Sequence, residues 1–289
     1  MENKKEIQKK LITWYGKHKR DLPWRHTRNP YHILVSEVML QQTQVDRVIF
    51  KYKEFLKRFP TTKKLAAAST ADVIRVWQGL GYNRRALFLQ KTAKAVEEKY
   101  KGKFPQTIDE LKQLPGIGDY TARAVLSFSF ELPFPMMDTN HRRFYQRVFF
   151  GLDQKSDKEL LIAAEQVMPK QPYDWNQGLM DFGSIICLTS RPKCEVCPLQ
   201  KYCKAYPDIL KEENQIKKKK TKHSIPFKQT DRYVRGRIVD LLRGVHGVRS
   251  EQVYRLFAEE YGYDRVGDII AGLVKDQLII EKRGKIYLP

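Results

Sequence analysis

LKQLPGIGDYTARAV, residues 111–125, is the stretch of sequence on which the predicted fold depends. A Leu-Pro-Gly-Ile-Gly segment separates two stretches whose apolar residues recur at the three- and four-residue spacing of amphipathic helices. Gly116 and Gly118 permit backbone conformations and close approaches that a side chain would block, and the amides at the next helix start can bind a phosphate. Glycine turns between helices are common, so the segment alone leaves an ordinary turn and a phosphate-binding turn open.

The net charge of the chain favours the phosphate-binding turn. Its 289 residues include 54 Lys and Arg against 33 Asp and Glu, a formal net charge of +21. This excess indicates a polyanionic partner, and the lack of a long apolar run in the sequence favours nucleic acid over a membrane. The charged opening MENKKEIQKKLITWYGK has neither a signal core nor a cleavage site, so we expect a cytoplasmic, nucleoid-associated protein in a reducing compartment.

The rest of the chain as far as about Asp208 predicts an all-helical structure. Apolar residues keep the helical spacing throughout, and no sustained alternating run interrupts them. Asn29 before Pro30 predicts the start of one helix that continues through residues 33–59. Ser69 with Thr70 predicts a second helix start.

The C-terminal part of the chain predicts a small separate domain. Residues 211–222, KEENQIKKKKTK, contain one aliphatic residue and a run of like charge, which is typical of a solvated linker. Three helical stretches follow, and then a hairpin that turns at Arg283 and Gly284. This order resembles a winged helix, which either adds nonspecific contacts to a DNA duplex or only packs against the preceding residues.

All four cysteines fall in one short segment, which predicts a shared ligand. Cys187, Cys194, Cys197 and Cys203 follow the pattern Cys-x6-Cys-x2-Cys-x5-Cys. Four thiolates can hold either zinc or a 4Fe-4S cluster. Because structural zinc usually takes two close cysteine pairs, the spacing favours the cluster by about two to one and keeps zinc as the alternative.

Two carboxylates lie in apolar sequence surroundings, Glu37 within LVSEVMLQQT and Asp138 within PMMDTNHRRF. In a low-dielectric pocket a carboxyl group can hold a proton near neutral pH or concentrate its charge on a cation. An acidic residue of a helix is more often on the solvated face, so the residues alone assign neither carboxylate a function.

Taken together, these segments resemble the MutY-like adenine glycosylases of the endonuclease III superfamily. LPWRHTRNPY, SEVMLQQTQV, WQGLGYNRRA, LPGIGDYTARAV, MMDTNHRR and the four-cysteine loop occur in the family's order and spacing over about residues 8–208. The resemblance implies an all-α, two-lobed helix-hairpin-helix fold with DNA between the lobes and a 4Fe-4S cluster. Its parts would be a cluster lobe (1–27 and 132–210), a six-helix barrel lobe with the hairpin (28–131), a basic linker (211–229) and a winged-helix-like domain (230–289).

The resemblance also implies catalytic roles. Asp138 would stabilise the cationic sugar or capture it covalently, and Glu37 would protonate the departing base. Asn140 would support the same centre, and Tyr120 would pack against Glu37 or the sugar. Bifunctional relatives carry a lysine at the position of Tyr120. Because tyrosine cannot form a Schiff base, hydrolysis with little or no strand cleavage is expected.

Adenine mispaired with guanine or 8-oxoguanine is the target that the resemblance implies. Gln42 and Tyr82 would wedge into the duplex, and Gln177 would lie near the flipped base. The expected base-pocket and DNA-binding residues are Trp24, Arg25, Gln42, Thr43, Tyr82, Gly116, Gly118 and Gln177.

Two other functions stay open at this stage. A related branch removes thymine or uracil from mispairs with guanine and shares most of these motifs, and a noncatalytic DNA-binding iron-sulfur protein is the third possibility. Residues 230–289 are too short for the domain with which many adenine glycosylases inspect 8-oxoguanine, so the resemblance is to a short form. We expect a monomer that acts on double-stranded DNA and binds no membrane.

Overall fold

The computed structural model describes residues 3–211 and 225–289, so most of the predicted basic linker lies outside the described residues. The helices and strands are α1 (Lys4–His18), α2 (Pro30–Leu40), α3 (Val45–Arg58), α4 (Thr62–Ala67), α5 (Thr70–Val76), α6 (Arg84–Tyr100), α7 (Ile108–Lys112), α8 (Asp119–Ser129), α9 (Thr139–Tyr145), α10 (Asp157–Val167), α11 (Pro172–Ile185), α12 (Asp231–Arg243), β1 (Val248–Arg249), α13 (Ser250–Tyr261), α14 (Tyr263–Lys275), β2 (Ile280–Lys282) and β3 (Lys285–Tyr287). Helices dominate, which confirms the predicted fold class. Among the described residues, no helix is long and apolar enough to cross a membrane.

The described chain forms two compact units. The first contains residues 3–34, 106–112 and 117–211, and the second contains residues 35–105, 113–116 and 225–289. The C-terminal domain therefore belongs to the same unit as α3 to α6.

The core of the first unit lies between α1, α9, α10 and α11. Phe144, Trp175 and Phe182 are fully buried there, and both Trp175 and Phe182 meet Phe144 edge to face at 6.0 Å between ring centroids. Trp175 Nε1 donates to the hydroxyl of buried Tyr145 at 3.0 Å, so the one polar atom of the indole is satisfied. This core supports α9 and the start of the cysteine segment.

The second unit has a core that α5 and α6 share with the C-terminal helices. Ile74 and Leu87 belong to the same buried cluster as Val234, Ile238 and Leu273. The clustering of apolar side chains from distant parts of the chain removes them from water, which is the main favourable term in folding. The C-terminal helices therefore pack on α5 and α6.

The last 60 residues contain the three helices and the hairpin that the sequence predicts. The hairpin turns at Arg283 (φ 52°) and Gly284 (φ 69°). The sheet has the order β1-β3-β2, with Val248 opposite Ile286 and Ile280 opposite Tyr287. The two-residue strand β1 has no counterpart in the sequence prediction, because it is too short to show alternation.

Both predicted helix starts are confirmed. Asn29 Oδ1 accepts hydrogen bonds from the amides of Tyr31 at 2.9 Å and His32 at 3.3 Å, directly before α2. Ser69 Oγ accepts from the amide of Asp72 at 3.1 Å at the start of α5. Each side chain satisfies amides that have no partner within the first helical turn.

The prediction of one helix through residues 33–59 is wrong. Helix α2 ends at Leu40, Gln42 has a left-handed backbone (φ 54°), and α3 begins at Val45. The cause is Arg85 of α6, whose Nη1 donates to the carbonyl oxygens of Val38 at 2.8 Å, Met39 at 3.1 Å and Gln41 at 2.5 Å. The Arg85 side chain thus donates the hydrogen bonds that the amides of a further helical turn would otherwise have given to these carbonyl oxygens.

Candidate active site and cysteine segment

Asp138 lies at the N-terminus of α9 and is the residue on which the first unit's site is built. Its Oδ1 accepts hydrogen bonds from the amides of Asn140 and His141, both at 2.8 Å, and from Nδ1 of His141 at 2.6 Å. Its Oδ2 accepts from Nδ2 of Asn140 at 3.1 Å. The sequence folds this way locally because an aspartate before a helix satisfies the first free amides.

The Asp138 carboxyl group is held in its ionised form. Burial alone would raise its pKa, but the attraction and hydrogen bond of His141, with the amide hydrogen bonds, lower the pKa to about 2. The side chain is still 23% exposed. The structure therefore contains an ionised carboxylate at the start of α9 that solvent can reach.

Asn140 is held next to Asp138 from two sides. Nη2 of Arg143 donates to Asn140 Oδ1 at 2.8 Å and to the carbonyl oxygen of Gly183 at 2.6 Å. A Cβ at Gly183 would lie 2.6 Å from the Cβ of Asn140, so α11 needs glycine where it meets α9. The Asn140 amide group therefore has one orientation, with its nitrogen directed to Asp138.

Arg143 also links this carboxylate to the cysteine segment. Its Nε donates to the carbonyl oxygen of Cys187 at 2.6 Å. A single guanidinium thus contacts both the residue that holds Asp138 and the first cysteine.

Tyr120 lies in the first turn of α8 and is half-buried. It packs against a buried cluster that contains Ile33, Phe128 and Tyr173. The ring is therefore supported by core residues of the first unit.

Arg25 forms a buried ion pair with Asp181 and a hydrogen bond with Gln177. Arg25 donates through both Nη atoms to Asp181, at 2.7 Å and 3.0 Å, and through Nε to Gln177 Oε1 at 2.8 Å. The Asp181 side chain is 0% exposed and that of Arg25 is 7% exposed. Because Arg25 uses the amide oxygen of Gln177, the amide hydrogens are the remaining donors of that side chain. Trp24 precedes Arg25 and is buried.

Glu37 belongs to the second unit and is buried within α2. Gln42, Thr43 and Tyr82, which also belong to the second unit, lie in two loops that the Arg85 side chain connects. Besides the carbonyls at the end of α2, Nη2 of Arg85 donates to Thr43 Oγ1 at 3.2 Å, Leu80 O at 2.9 Å and Gly81 O at 3.2 Å. Gln42 in the first loop and Tyr82 in the second are both exposed, and both have a left-handed backbone.

The two glycines of the hairpin differ in their surroundings. Gly116 has φ 78°, and a Cβ there would lie 2.6 Å from the Cβ of Phe88, so only glycine fits. A Cβ at Gly118 would meet no atom within 4 Å. Neither backbone conformation nor internal packing requires glycine at position 118.

The four cysteines lie around one cavity. Its walls are mostly apolar and include Val148, Phe182 and Leu199. Arg147, which lies just after α9, contacts the first and the last cysteine of the segment. Its Nη1 donates to Cys187 Sγ at 3.5 Å, and its carbonyl oxygen accepts from Cys203 Sγ at 3.4 Å. Burial raises the pKa of the Cys197 thiol to about 12.

The donor set of four cysteine thiols fits a thiolate-bound metal centre, either a zinc ion or an iron-sulfur cluster. No group of three or more His, Cys, Asp or Glu side chains in the described part of the chain is arranged to hold one metal ion. A zinc ion would need four sulfurs within about 2.3 Å of one point, whereas a cluster takes one thiolate at each of its irons. The four cysteines around the cavity are the ligands that either centre would use.

Sequence reasoning missed several residues that hold the site together. The pattern Asp-Thr-Asn-His before a helix could have indicated that Asp138 caps α9 and that His141 lies one turn away. Asp181 and Arg85 have no such signal, because their partners are distant in the sequence and only packing brings them together.

Comparison with known proteins identifies the family. Residues 35–170 match the family described as HhH-GPD superfamily base excision DNA repair protein. The chain is 39% identical over 225 residues to the adenine DNA glycosylase of Buchnera aphidicola, covering 75% of this chain and 63% of that protein. It is 36% identical over 239 residues to the adenine DNA glycosylase of Mycobacterium tuberculosis, covering 81% and 77%. The chain therefore spans less than two thirds of the Buchnera protein.

The fold has a solved counterpart. A thermostable thymine-DNA glycosylase matches with a TM-score of 0.68 and 33% identity, over 71% of this chain and 97% of that one. The family match over residues 35–170 includes Glu37, the hairpin glycines and Asp138. The chain belongs to the adenine DNA glycosylase family, within the HhH-GPD superfamily of base excision DNA repair proteins.

Proposed function

We propose that the protein is a monofunctional DNA glycosylase of base excision repair. It hydrolyses the N-glycosidic bond of adenine mispaired with guanine or 8-oxoguanine in duplex DNA. The observation that carries the proposal is Asp138, a reachable carboxylate that four hydrogen bonds hold ionised. Membership of a family whose curated relatives are adenine DNA glycosylases supports it.

Asp138 stabilises the sugar while the bond to the base breaks. As the base leaves, positive charge develops on the deoxyribose, and a fixed carboxylate lowers the energy of that state. Three of the four hydrogen bonds go to Oδ1, so Oδ2 keeps lone pairs for the sugar carbon. The preset hydrogen bonds mean that little reorganisation is needed during the reaction.

Glu37 supplies the proton that the base needs. An adenine anion is a poor leaving group, and protonation of a ring nitrogen lowers the barrier to its departure. Glu37 is buried in α2, so it is shielded from bulk water where it would deliver the proton.

Tyr120 makes the enzyme monofunctional. Strand cleavage by the lyase route needs an amine that forms a Schiff base with the opened sugar, and a phenol cannot form one. Water therefore takes up the sugar cation, and an abasic site is the product.

The four cysteines hold a 4Fe-4S cluster. When bound, the cluster cross-links the segment from Cys187 to Cys203 and adds the stability that metal binding gives to folding. The exposed cations Lys193 and Lys201 of that segment contact DNA phosphates, as does the N-terminus of α8.

Adenine is favoured over thymine by Gln177 and its partner Arg25. An amide whose oxygen is already used can donate its hydrogens to a ring nitrogen of adenine. A second candidate, excision of thymine or uracil from mispairs with guanine, is favoured by the structural match to a thymine-DNA glycosylase.

The proposal extends to organisation and partners. The protein acts as a monomer on double-stranded DNA at the nucleoid in the cytoplasm, and the net charge of +21 supports the DNA partner. A cluster lobe of residues 1–27 and 132–210 and a barrel lobe of residues 28–131 bind the duplex.

Single-turnover excision on matched duplexes tests the proposal. The duplexes differ only in the mispair, A:8-oxoguanine, A:G, A:C, T:G or U:G, and each reaction is analysed with and without alkali. We expect adenine release that shows strand breaks only after alkali. Release of thymine but not adenine would select the second candidate, and strand breaks that form without alkali at the rate of base release would exclude a monofunctional enzyme.

A further inference from the structure

Tyr82 has an unusual backbone for an exposed aromatic residue. Its side chain is 38% exposed, and its φ of 44° lies in the left-handed region that favours glycine. Gly81 before it has φ 68°, and its carbonyl oxygen accepts from Trp77 Nε1 at 3.0 Å and from Arg85 at 3.2 Å. The protein therefore uses buried donors to hold a strained loop that presents a large ring to solvent, which is typical of a recognition element.

Arg232 of the C-terminal domain lies directly over this ring. Its Cζ is 3.8 Å from the centroid of Tyr82, whereas Cζ of Arg85 is 5.5 Å from the same centroid. Among the described residues, no carboxylate forms an ion pair with Arg232. Two guanidinium groups thus approach one exposed ring, and Arg232 keeps its donors for an external anion.

The position of Arg232 depends on a fixed contact between α12 and the Tyr82 loop. At the other end of α12, Arg243 donates to Asn83 Oδ1 at 3.0 Å and to the carbonyl oxygen of Ile74 at 3.1 Å. The end of the chain adds a further bond, since the amide of Ala71 donates to the carbonyl oxygen of Pro289 at 2.7 Å. These contacts hold the C-terminal domain against α5 and the loop before α6, so that Arg232 of α12 reaches Tyr82.

The helix that a winged helix would use to read DNA is poorly suited to that task here. In a helix-turn-helix pair the second helix enters the major groove, and this helix would be α14. Its exposed residues include Asp264 and Asp268, which phosphates would repel, and Arg265 is paired with Asp231 at 2.8 Å. Arg232 is therefore a more favourable point of contact between this domain and DNA than α14 is.

We infer that Arg232 makes the C-terminal domain part of the surface that recognises the mispair. Arg232 holds the Tyr82 ring in its exposed position and donates to a phosphate of the DNA strand beside that ring. The inference rests on the proposed function, because it takes mispaired duplex DNA as the ligand. Arg232 is a positioning residue, and it takes no part in bond breaking.

Equilibrium binding of the 289-residue chain to two duplexes tests the inference. One duplex carries 2′-fluoro-deoxyadenosine opposite guanine, which resists hydrolysis because fluorine disfavours a cationic sugar, and the other is fully paired. We expect Arg232→Ala to weaken binding to the mispair about tenfold, and to weaken binding to the paired duplex less. The slope of log affinity against log salt should fall in magnitude by about one.

A matched control and a double variant separate positioning from a general loss of charge. Arg237→Ala removes an exposed arginine from the same helix and should change mispair affinity by less than about twofold. If Arg232 acts through the ring, the losses caused by Arg232→Ala and Tyr82→Leu should be less than additive in the double variant. Arg232→Gln, which keeps part of the stem, replaces the alanine variant if thermal denaturation shows that alanine disturbs folding.

Equal effects of Arg232→Ala and Arg237→Ala, or additive losses in the double variant, would overturn the inference. A failure of the proposed function is visible separately, because it appears as a wild-type protein that releases no adenine from an unmodified A:G duplex. The binding comparison does not depend on that reaction.

Discussion

Replacing His141 with glutamine should raise the pKa of Asp138 and weaken both the fold and the enzyme. His141 is fully buried, and its Nδ1 donates to Asp138 Oδ1 at 2.6 Å. Burial raises the pKa of this carboxyl group, and His141 provides the largest opposing effect, which brings the pKa down to about 2. Glutamine keeps the backbone amides as donors but removes the attraction of the imidazole.

The pKa of Asp138 sets the size of the effect on stability. The ordinary value is 3.8 and the folded value is about 2. Because the folded value is the lower one, the ionised carboxylate stabilises the fold above about pH 4, and this contribution disappears as the pH falls toward about 2. The difference is worth about 2 kcal/mol, so the variant should lose up to about that much unfolding free energy at neutral pH.

Two measurements check this prediction. Urea titrations at several pH values give the free energy of unfolding, and the deficit of the variant should shrink below about pH 4. Single-turnover excision between about pH 4 and pH 8 gives the acid limb of the rate profile. The wild-type rate should show no loss from Asp138 in this range, whereas the variant should lose rate at the acid end as Asp138 becomes protonated.

His26→Gln is the matched control. His26 pairs with Asp21, and the two side chains are 70% and 87% exposed, so we expect no measurable change in stability. Equal unfolding free energies for His141→Gln and the wild type at neutral pH, with the same acid limb, would refute the assignment of His141 as the group that keeps Asp138 ionised.

Three further predictions concern the hairpin, the cysteines and the buried ion pair. Gly116→Ala should lower the free energy of unfolding, measured in urea, by about 3 kcal/mol because Gly116 has a positive φ and lies against Phe88. Gly118→Ala should leave stability unchanged and weaken duplex binding. A stable, DNA-binding Gly116→Ala protein would contradict this prediction. Cys197→Ser should abolish the broad visible absorption and bound iron of the purified protein, and a colourless wild-type protein that contains zinc would contradict the cluster. Asp181→Leu should cost about 4 kcal/mol in the same unfolding assay because it leaves Arg25 buried without its carboxylate, and a loss below about 1 kcal/mol would contradict the importance of the pair.

Patterns that are local in the sequence predicted much of the structure. The caps at Asn29 and Ser69, the hairpin at Arg283 and Gly284 and the clustering of the cysteines depend on neighbouring residues, whose backbone preferences act over one or two turns. Asp138 was predicted through the resemblance of the short segment MMDTNHRR to the family. For these features the chain segment itself contains the interacting groups.

Features that depend on distant partners could not be predicted in this way. The periodicity of residues 33–59 continues without a break, yet Arg85 ends α2 by binding carbonyls that precede it by more than 40 residues. Asp181 likewise receives Arg20 across 161 residues, and nothing near either residue indicates the pairing.

The sequence by itself determined the helical fold class and the basic character, and it predicted the cysteine ligand set; the two carboxylates of the candidate site were predicted from the family resemblance. Only the tertiary structure decided that His141 and Asn140 keep Asp138 ionised, that Arg25 uses the oxygen of Gln177, and that Arg232 lies on the ring of Tyr82. The physical reason is that charge, burial and ring stacking act through distance in space, whereas a single sequence records only distance along the chain.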